Sequence, residues 1–187
     1  SNATDGGTHH GIQDISIMRT LDITIFNPSC GYLAQRMARE AYESTKPVYV
    51  RLDKGDFMQD YLDLGLTFYN GLKRLRDGEI TVITTGNMVD RALEIPNIGV
   101  IDLFQLKPLN IAAMCWEMGE VRKLLTLEEH LNIGLGSIIS EFLHDEEYAI
   151  PLRRIGVTTE KVIGSREYLQ KHFGLDVESL RHAISDW

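Results

Sequence analysis

Apolar residues Ile12, Ile15 and Met18 recur at helical spacing behind a glycine-rich entry at Gly6-Gly7, and this pattern predicts a short helix over residues 12–20. Residues 23–26 then read as a strand, 33–42 as a helix and 47–52 as a strand rich in Val and Tyr. From Asp53 to Asp77 the periodicity loosens, with Gly55, Gly65 and Gly71 interrupting a polar and aromatic mixture that includes Tyr61, Phe68 and Tyr69. That stretch reads as an interdomain linker packed through its aromatics. A second alternating run follows: strands at 80–84, 98–102, 121–127 and 151–157, helices at 88–94, 109–118 and 137–143, and closing helices around Tyr168 and Leu180. Strands alternating with helices predict βαβ units, hence an α/β fold with a mostly parallel sheet and helices on both faces. The expected plan is a partial α/β unit over residues 4–54, a linker over 55–78 and a complete α/β unit over 79–187.

Composition narrows the partners. Ser1-Asn2-Ala3 reads as the remnant of a cleaved tag, so the native stretch is expected to start at Thr4. A net charge of −8, with the signs interspersed and no Lys/Arg block, argues against a nucleic-acid surface, which needs clustered cations. The longest apolar run, near Ile138-Ile139, is far below the roughly 20 residues that cross a bilayer, and no signal peptide is visible. A cytoplasmic protein with no membrane contact is the expectation. The 2 cysteines, Cys30 and Cys115, lie outside any metal or redox spacing, and none of the 6 histidines is paired at the i, i+4 spacing of a helical zinc site. No metal site is expected in this chain.

Two segments carry candidate chemistry. In Asp5-Gly6-Gly7-Thr8-His9-His10-Gly11 the glycines allow close backbone approach, and an adjacent imidazole can donate to an oxyanion or hydroxyl. An ordinary turn with exposed histidines fits the same spacing. Glu128-Glu129-His130 imitates a catalytic acid beside a base and Gly134-Leu135-Gly136 a nucleotide loop, but no chemistry is expected of the former, and the glycines are expected to allow tight packing at a helix start. The latter lacks the third glycine of a dinucleotide fingerprint, so nicotinamide binding is not expected.

The pattern Asp-Gly-X-Thr-His-X-Gly, followed by Asp14 and the Ile15 to Arg19 helix, resembles the second domain of transketolases and appears also in deoxyxylulose-phosphate synthases. Pro47-Val48-Tyr49-Val50-Arg51-Leu52-Asp53-Lys54-Gly55 is similar to that family's strand ending in an arginine that clamps the sugar phosphate. The trailing unit matches in four ordered blocks: Thr81 to Gly86 with Met88-Val89, Val100 to Leu103, Lys107 to Asn110, and Leu127 to His130 with Gly134 to Ser137. The resemblance implies that residues 4–54 are the end of a pyrimidine-binding domain and 79–187 a transketolase C-terminal domain. It assigns Asp5 and His9 to sugar hydroxyls, His9 to polarising the donor and intermediate as the catalytic residue, and Arg51 to a phosphate, with Lys54 as a helping charge. A strand-terminal guanidinium can grip phosphate bidentately, although such an arginine in a solvated ion pair is common.

Departures mark a divergent branch. His10 stands where Gln is frequent, Leu21-Asp22 replaces a Pro-Asn turn, and Cys30 replaces an acid. The resemblance further implies thiamine diphosphate and magnesium in the complete enzyme. The Gly-Asp-Gly metal motif and the cofactor-activating glutamate are expected upstream of Asp5, so this section is expected to be inactive alone. The expected partners are a second copy or an N-terminal transketolase subunit, and a small sugar-phosphate substrate. Three alternatives stay open: a non-catalytic dimerisation module, part of a 1-deoxyxylulose-5-phosphate synthase, or part of a 2-oxoacid dehydrogenase β subunit. Thr8-His9 weighs against the last, where Ser is usual.

Overall fold

The computed structural model describes residues 4, 6, 9–54, 70–159 and 162–187. Two sheets carry the chain. The first is small: β1 (Thr24–Phe26) lies parallel to β2 (Val48–Val50) and antiparallel to β6 (Gln105–Lys107). The second is built from β3 (Lys73–Arg76), β4 (Ile80–Thr84), β5 (Gly99–Asp102), β7 (Lys123–Leu131) and β8 (Leu152–Val157), in the order β3-β5-β4-β7-β8. All its pairings are parallel except β3 on β5.

Alternation along these strands explains the layers, because neighbouring side chains leave a strand on opposite faces. Ile83, Ile101 and Leu124 point to one face, where Met114 of α4 (Ile111–Met118) and Leu135, Ile139 and Phe142 of α5 (Leu135–Asp145) bury against them. Val82, Val100 and Leu125 point to the other, covered by Met88 and Ala92 of α3 (Met88–Leu93) and Leu180 of α7 (Val177–Ser185). The first of these cores also takes in Ile15 of α1 (Asp14–Met18) and Ile25 of β1. A third packs Leu33 and Met37 of α2 (Gly31–Glu43) with Phe26, Phe104 and Val89. The two sheets therefore share apolar interior.

Two strands depart from the sequence reading. Within the stretch read as a linker, residues 55–69 and the glycine-aromatic pattern there lie outside the described residues, and 73–76 form β3. Its sequence, Lys-Arg-Leu-Arg, has no buried position, since it is an antiparallel strand at the sheet margin with all four residues half-buried. Its Arg76 reaches over the end of α3, donating to the carbonyls of Ile98 (2.7 Å), Leu93 (3.2 Å) and Ala92 (3.3 Å). The second is β6, which belongs in sequence to the trailing unit and pairs with β1 of the leading one. The seam is tied further by Asn27 N–H donating to the Phe104 carbonyl (2.9 Å) and the Thr85 hydroxyl donating to the Asn27 carbonyl (3.0 Å).

Candidate active site

Parallel sheets offer ligands the space outside the carboxyl ends of their strands, and here those ends meet at the seam. Arg51 follows the last residue of β2 and is fixed by its own N–H donating to the Phe26 carbonyl (2.8 Å). Its side chain is 8% exposed and lies between two carboxylates. Nε donates to Asp14 Oδ2 (2.9 Å), at the first turn of α1, and the guanidinium is ion-paired with Asp53. Tyr49 Oη donates to the same Asp14 oxygen (2.7 Å). Burial, reinforced by that bond, pushes the Tyr49 phenol up to about 12.

Asp53 joins this corner to the second sheet. Its Oδ2 accepts from the Asn87 backbone N–H (3.0 Å) and from Asn27 Nδ2 (3.4 Å), while Asn27 also donates to the Arg51 carbonyl (3.1 Å). The turn that presents Asn87 contains Gly86 at φ +58, and a Cβ there would land on the Asp53 carboxylate and the Asn27 amide. The Asn87 side chain continues the chain of contacts to Glu129 Oε2 (2.8 Å) in β7. Glu129 also receives Arg166 Nη2 (2.9 Å) and Gln170 Nε2 (3.0 Å) from α6 (Arg166–His172). Burial pushes the Glu129 carboxyl up, but the Asn87 bond, the Arg166 charge and the Gln170 bond outweigh it and hold the group below the usual carboxylate range. Arg166 closes the circuit by donating to the Lys54 carbonyl.

The predicted residues fall as follows. Asp5 lies outside the described residues. His9 is exposed, and its N–H donates to the Gly6 carbonyl (2.9 Å). Its neighbour His10 is half-buried and lines a cavity of about 30 Å³ with Glu129, Arg166, Gln170 and Phe173. Arg51 is brought into a double ion pair, and Lys54 contributes its carbonyl to Arg166. Asp14, Asp53, Asn87, Glu129 and Arg166 carry no assignment from the sequence, although Asp53 sits inside the strand motif of Arg51 and Asp14 in the acid-helix pattern. Among the described residues no group of three or more His, Cys, Asp or Glu could hold a metal ion. A wider groove of about 530 Å³, lined by Arg74, Trp116 and Glu117, lies at the amino ends of the strands, away from all of these residues.

Glu128 and His130, on either side of Glu129 in β7, are held differently. Glu128 is fully buried, and its two oxygens accept the N–H groups of Leu135 (2.7 Å) and Gly136 (2.7 Å), which open α5. His130 Nδ1 lies 2.6 Å from the same carboxylate. Glu128 thus supplies the partners that a buried helix start lacks.

A doubly wound, mostly parallel α/β unit with its polar cluster at the carboxyl ends of the strands is the class this geometry defines. The family described as Transketolase, C-terminal domain, matches residues 71–180, and the chain belongs to that family. One of the apulose-4-phosphate transketolase subunits of Phocaeicola vulgatus is 29% identical over 188 residues, covering 94% of this chain and 60% of that protein. The subunit of the same name from Actinobacillus succinogenes is 29% identical over 92% of this chain and 60% of its own length. A 1-deoxy-D-xylulose-5-phosphate synthase of Erwinia tasmaniensis is 28% identical over 98% of this chain and 31% of its own length. The chain thus spans 60% of the length of the two apulose-4-phosphate transketolase relatives. Among solved structures, one described as a split gene transketolase, inactive β4 tetramer, superposes with a TM-score of 0.82 at 28% identity, over 96% of this chain and 62% of that one. Transketolase from Campylobacter jejuni superposes with a TM-score of 0.73 at 17% identity, over 99% of this chain and 29% of its own, a likeness of fold.

Proposed function

We propose that the chain is the C-terminal, substrate-facing section of a thiamine-diphosphate-dependent transketolase-type transferase that moves a two-carbon ketol unit between sugar phosphates in the cytoplasm. The observation that carries this reading is the 96% coverage by the split gene transketolase chain at a TM-score of 0.82, which extends the likeness beyond the family match into the leading unit that holds Arg51. The remainder of the enzyme, on the same polypeptide or on an N-terminal partner chain, would bring thiamine diphosphate and magnesium; that cofactor supplies the carbon nucleophile and electron sink. The work of this chain is recognition. Asp5 and His9 bind sugar hydroxyls, His9 polarises the carbonyl end of the donor, and Arg51 with Lys54 faces the phosphate.

The description of the split gene relative, an inactive β4 tetramer, supports a second reading of the isolated chain as an assembly module that associates with its own copies. Exposed Trp116 (86%) and Tyr42 (91%) give such a surface material to bury. The synthase relatives keep a deoxyxylulose-phosphate-forming reaction as the rival within the enzyme class.

Calorimetric titration of thiamine diphosphate with magnesium separates these readings. Binding only when this chain is combined with its upstream half supports the transferase section. Tight binding by residues 4–187 alone overturns the division of labour, and no binding by the combined protein favours the assembly module.

A further inference from the structure

Among the described residues, the side chains paired at the Arg51 corner carry more negative than positive charge. One guanidinium is matched by Asp14 at Nε and Asp53 at the other end of the fork, a local balance of one cation to two carboxylates, and only 8% of Arg51 is exposed. The two carboxylates are held differently. Asp14 uses one oxygen, Oδ2, for both Tyr49 and Arg51. Asp53 turns Oδ1 to Arg51 and keeps Oδ2 on the Asn87 N–H and the Asn27 amide. Releasing the guanidinium therefore leaves Asp53 with two hydrogen-bond partners, whereas Asp14 would give up part of a shared oxygen site.

We propose that Asp14 and Asp53 are specificity-determining residues: they keep Arg51 charge-compensated so that free inorganic phosphate is rejected, and Asp53 is the carboxylate that yields when a phosphorylated ligand, anchored through its sugar, takes the guanidinium. This deepens the reading of Arg51 as the phosphate-facing residue and rests on it. The physical ground is that phosphate approaching Arg51 meets two anions within a few ångströms, where solvent screening is weakest. A ligand already held by other contacts supplies the phosphate at high effective concentration, and a free ion does not.

Inorganic phosphate is the probe, titrated into the chain while the backbone amides of Arg51 and Asn87 are followed by NMR. Asp53→Asn keeps an oxygen for the Asn87 N–H, and Asp14→Asn keeps one for Tyr49, so each removes charge with little change of shape. Each is expected to bind phosphate roughly tenfold or more tightly than the wild type, with the gain shrinking as salt is raised. Asp53→Glu is expected to return to wild-type weakness, and adding Arg51→Met to Asp53→Asn is expected to erase the gain. Unchanged phosphate affinity in both Asn variants overturns the proposal, as does a gain that survives the loss of Arg51. Because the titration involves no turnover, its failure leaves the transferase reading standing. Loss of that reading in a ketol-transfer assay would likewise leave the phosphate pattern as measured.

Discussion

Two carboxylate clusters stand at the carboxyl ends of parallel strands in this chain, and they are built on opposite principles. Around Glu128 the partners are backbone: the amides of Leu135 and Gly136 point at a carboxylate with no exposure to solvent. Around Arg51 the surroundings are mostly side chains drawn from three separate places: Asp14 of α1, Tyr49 and Asp53 of its own segment and, through Asn87, Glu129 of β7. Backbone amides at a helix start cannot leave without unwinding the helix, so Glu128 is a fixed structural part. Side-chain partners exchange by rotation, which is what the proposed ligand role of the Arg51 corner requires. Seclusion and backbone partners, rather than the presence of an acid beside a histidine, mark the structural cluster.

The largest expected effect breaks the fixed cluster. Glu128→Ala leaves two helix-start N–H groups buried without acceptors, and should lower the unfolding free energy by about 4 kcal/mol, read from a urea midpoint. A small change would mean that the cap is not what holds α5.

A third carboxyl stands at the end of another strand. Asp102, at the end of β5, is fully buried against the Ser29 hydroxyl. Burial, opposed by the Ser29 bond and aided by the nearby Asp90 charge, pushes it from 3.8 up to about 7. The folded state therefore keeps a proton that the unfolded chain has released. The stability this contributes is complete below about pH 4 and is lost as pH climbs through about 7, on the order of 4 kcal/mol across that window. Asp102→Asn should remove that slope and be more stable than wild type at pH 8. Parallel pH profiles for the two proteins would contradict this.

Gly86→Ala tests the joint between the corners, since it combines a left-handed backbone position with a collision at Asp53. A loss of about 2 kcal/mol in a thermal or urea melt is expected, with the Asn87 amide shifted in the NMR spectrum. Arg166→Ala should cost less, about 1 kcal/mol or below, because the arginine is one third exposed and solvent screens its pair with Glu129. Its expected signature is local: movement of the Lys54 amide with little change in the melt. Arg39→Ala, which removes a solvated pair with Glu43, should leave the melt unchanged.

Most of the fold was legible because its core strands are short, nearly continuous apolar runs set between helical stretches. Ile80 to Thr84 and Gly99 to Asp102 place apolar side chains on both faces, as strands covered on two sides must. The missed strands lacked that signal. Lys73 to Arg76 is a basic run at the sheet margin, and Gln105 to Lys107 is three residues long with one buried position. Of the site, the strand-end Arg51 was legible, since local pattern places it. Of its partners, Asp53 stands two residues along the same segment, whereas Asp14, Asn87 and Glu129 are brought in by the fold from a helix, a turn and another strand, and no spacing along the chain encodes that meeting. Glu128 was ambiguous for a related reason, because only the fold reveals that its acceptors face amides.

The most direct test is ketol transfer to a phosphorylated aldose by this chain combined with the thiamine-diphosphate-binding half proposed for the complete enzyme. The expected result is turnover by the combined protein and none by either part alone. Replacing Arg51 with Met should lower kcat/KM for the phosphorylated acceptor by tenfold or more while sparing a non-phosphorylated one. Turnover that is indifferent to Arg51, or that proceeds without this chain, would contradict the account.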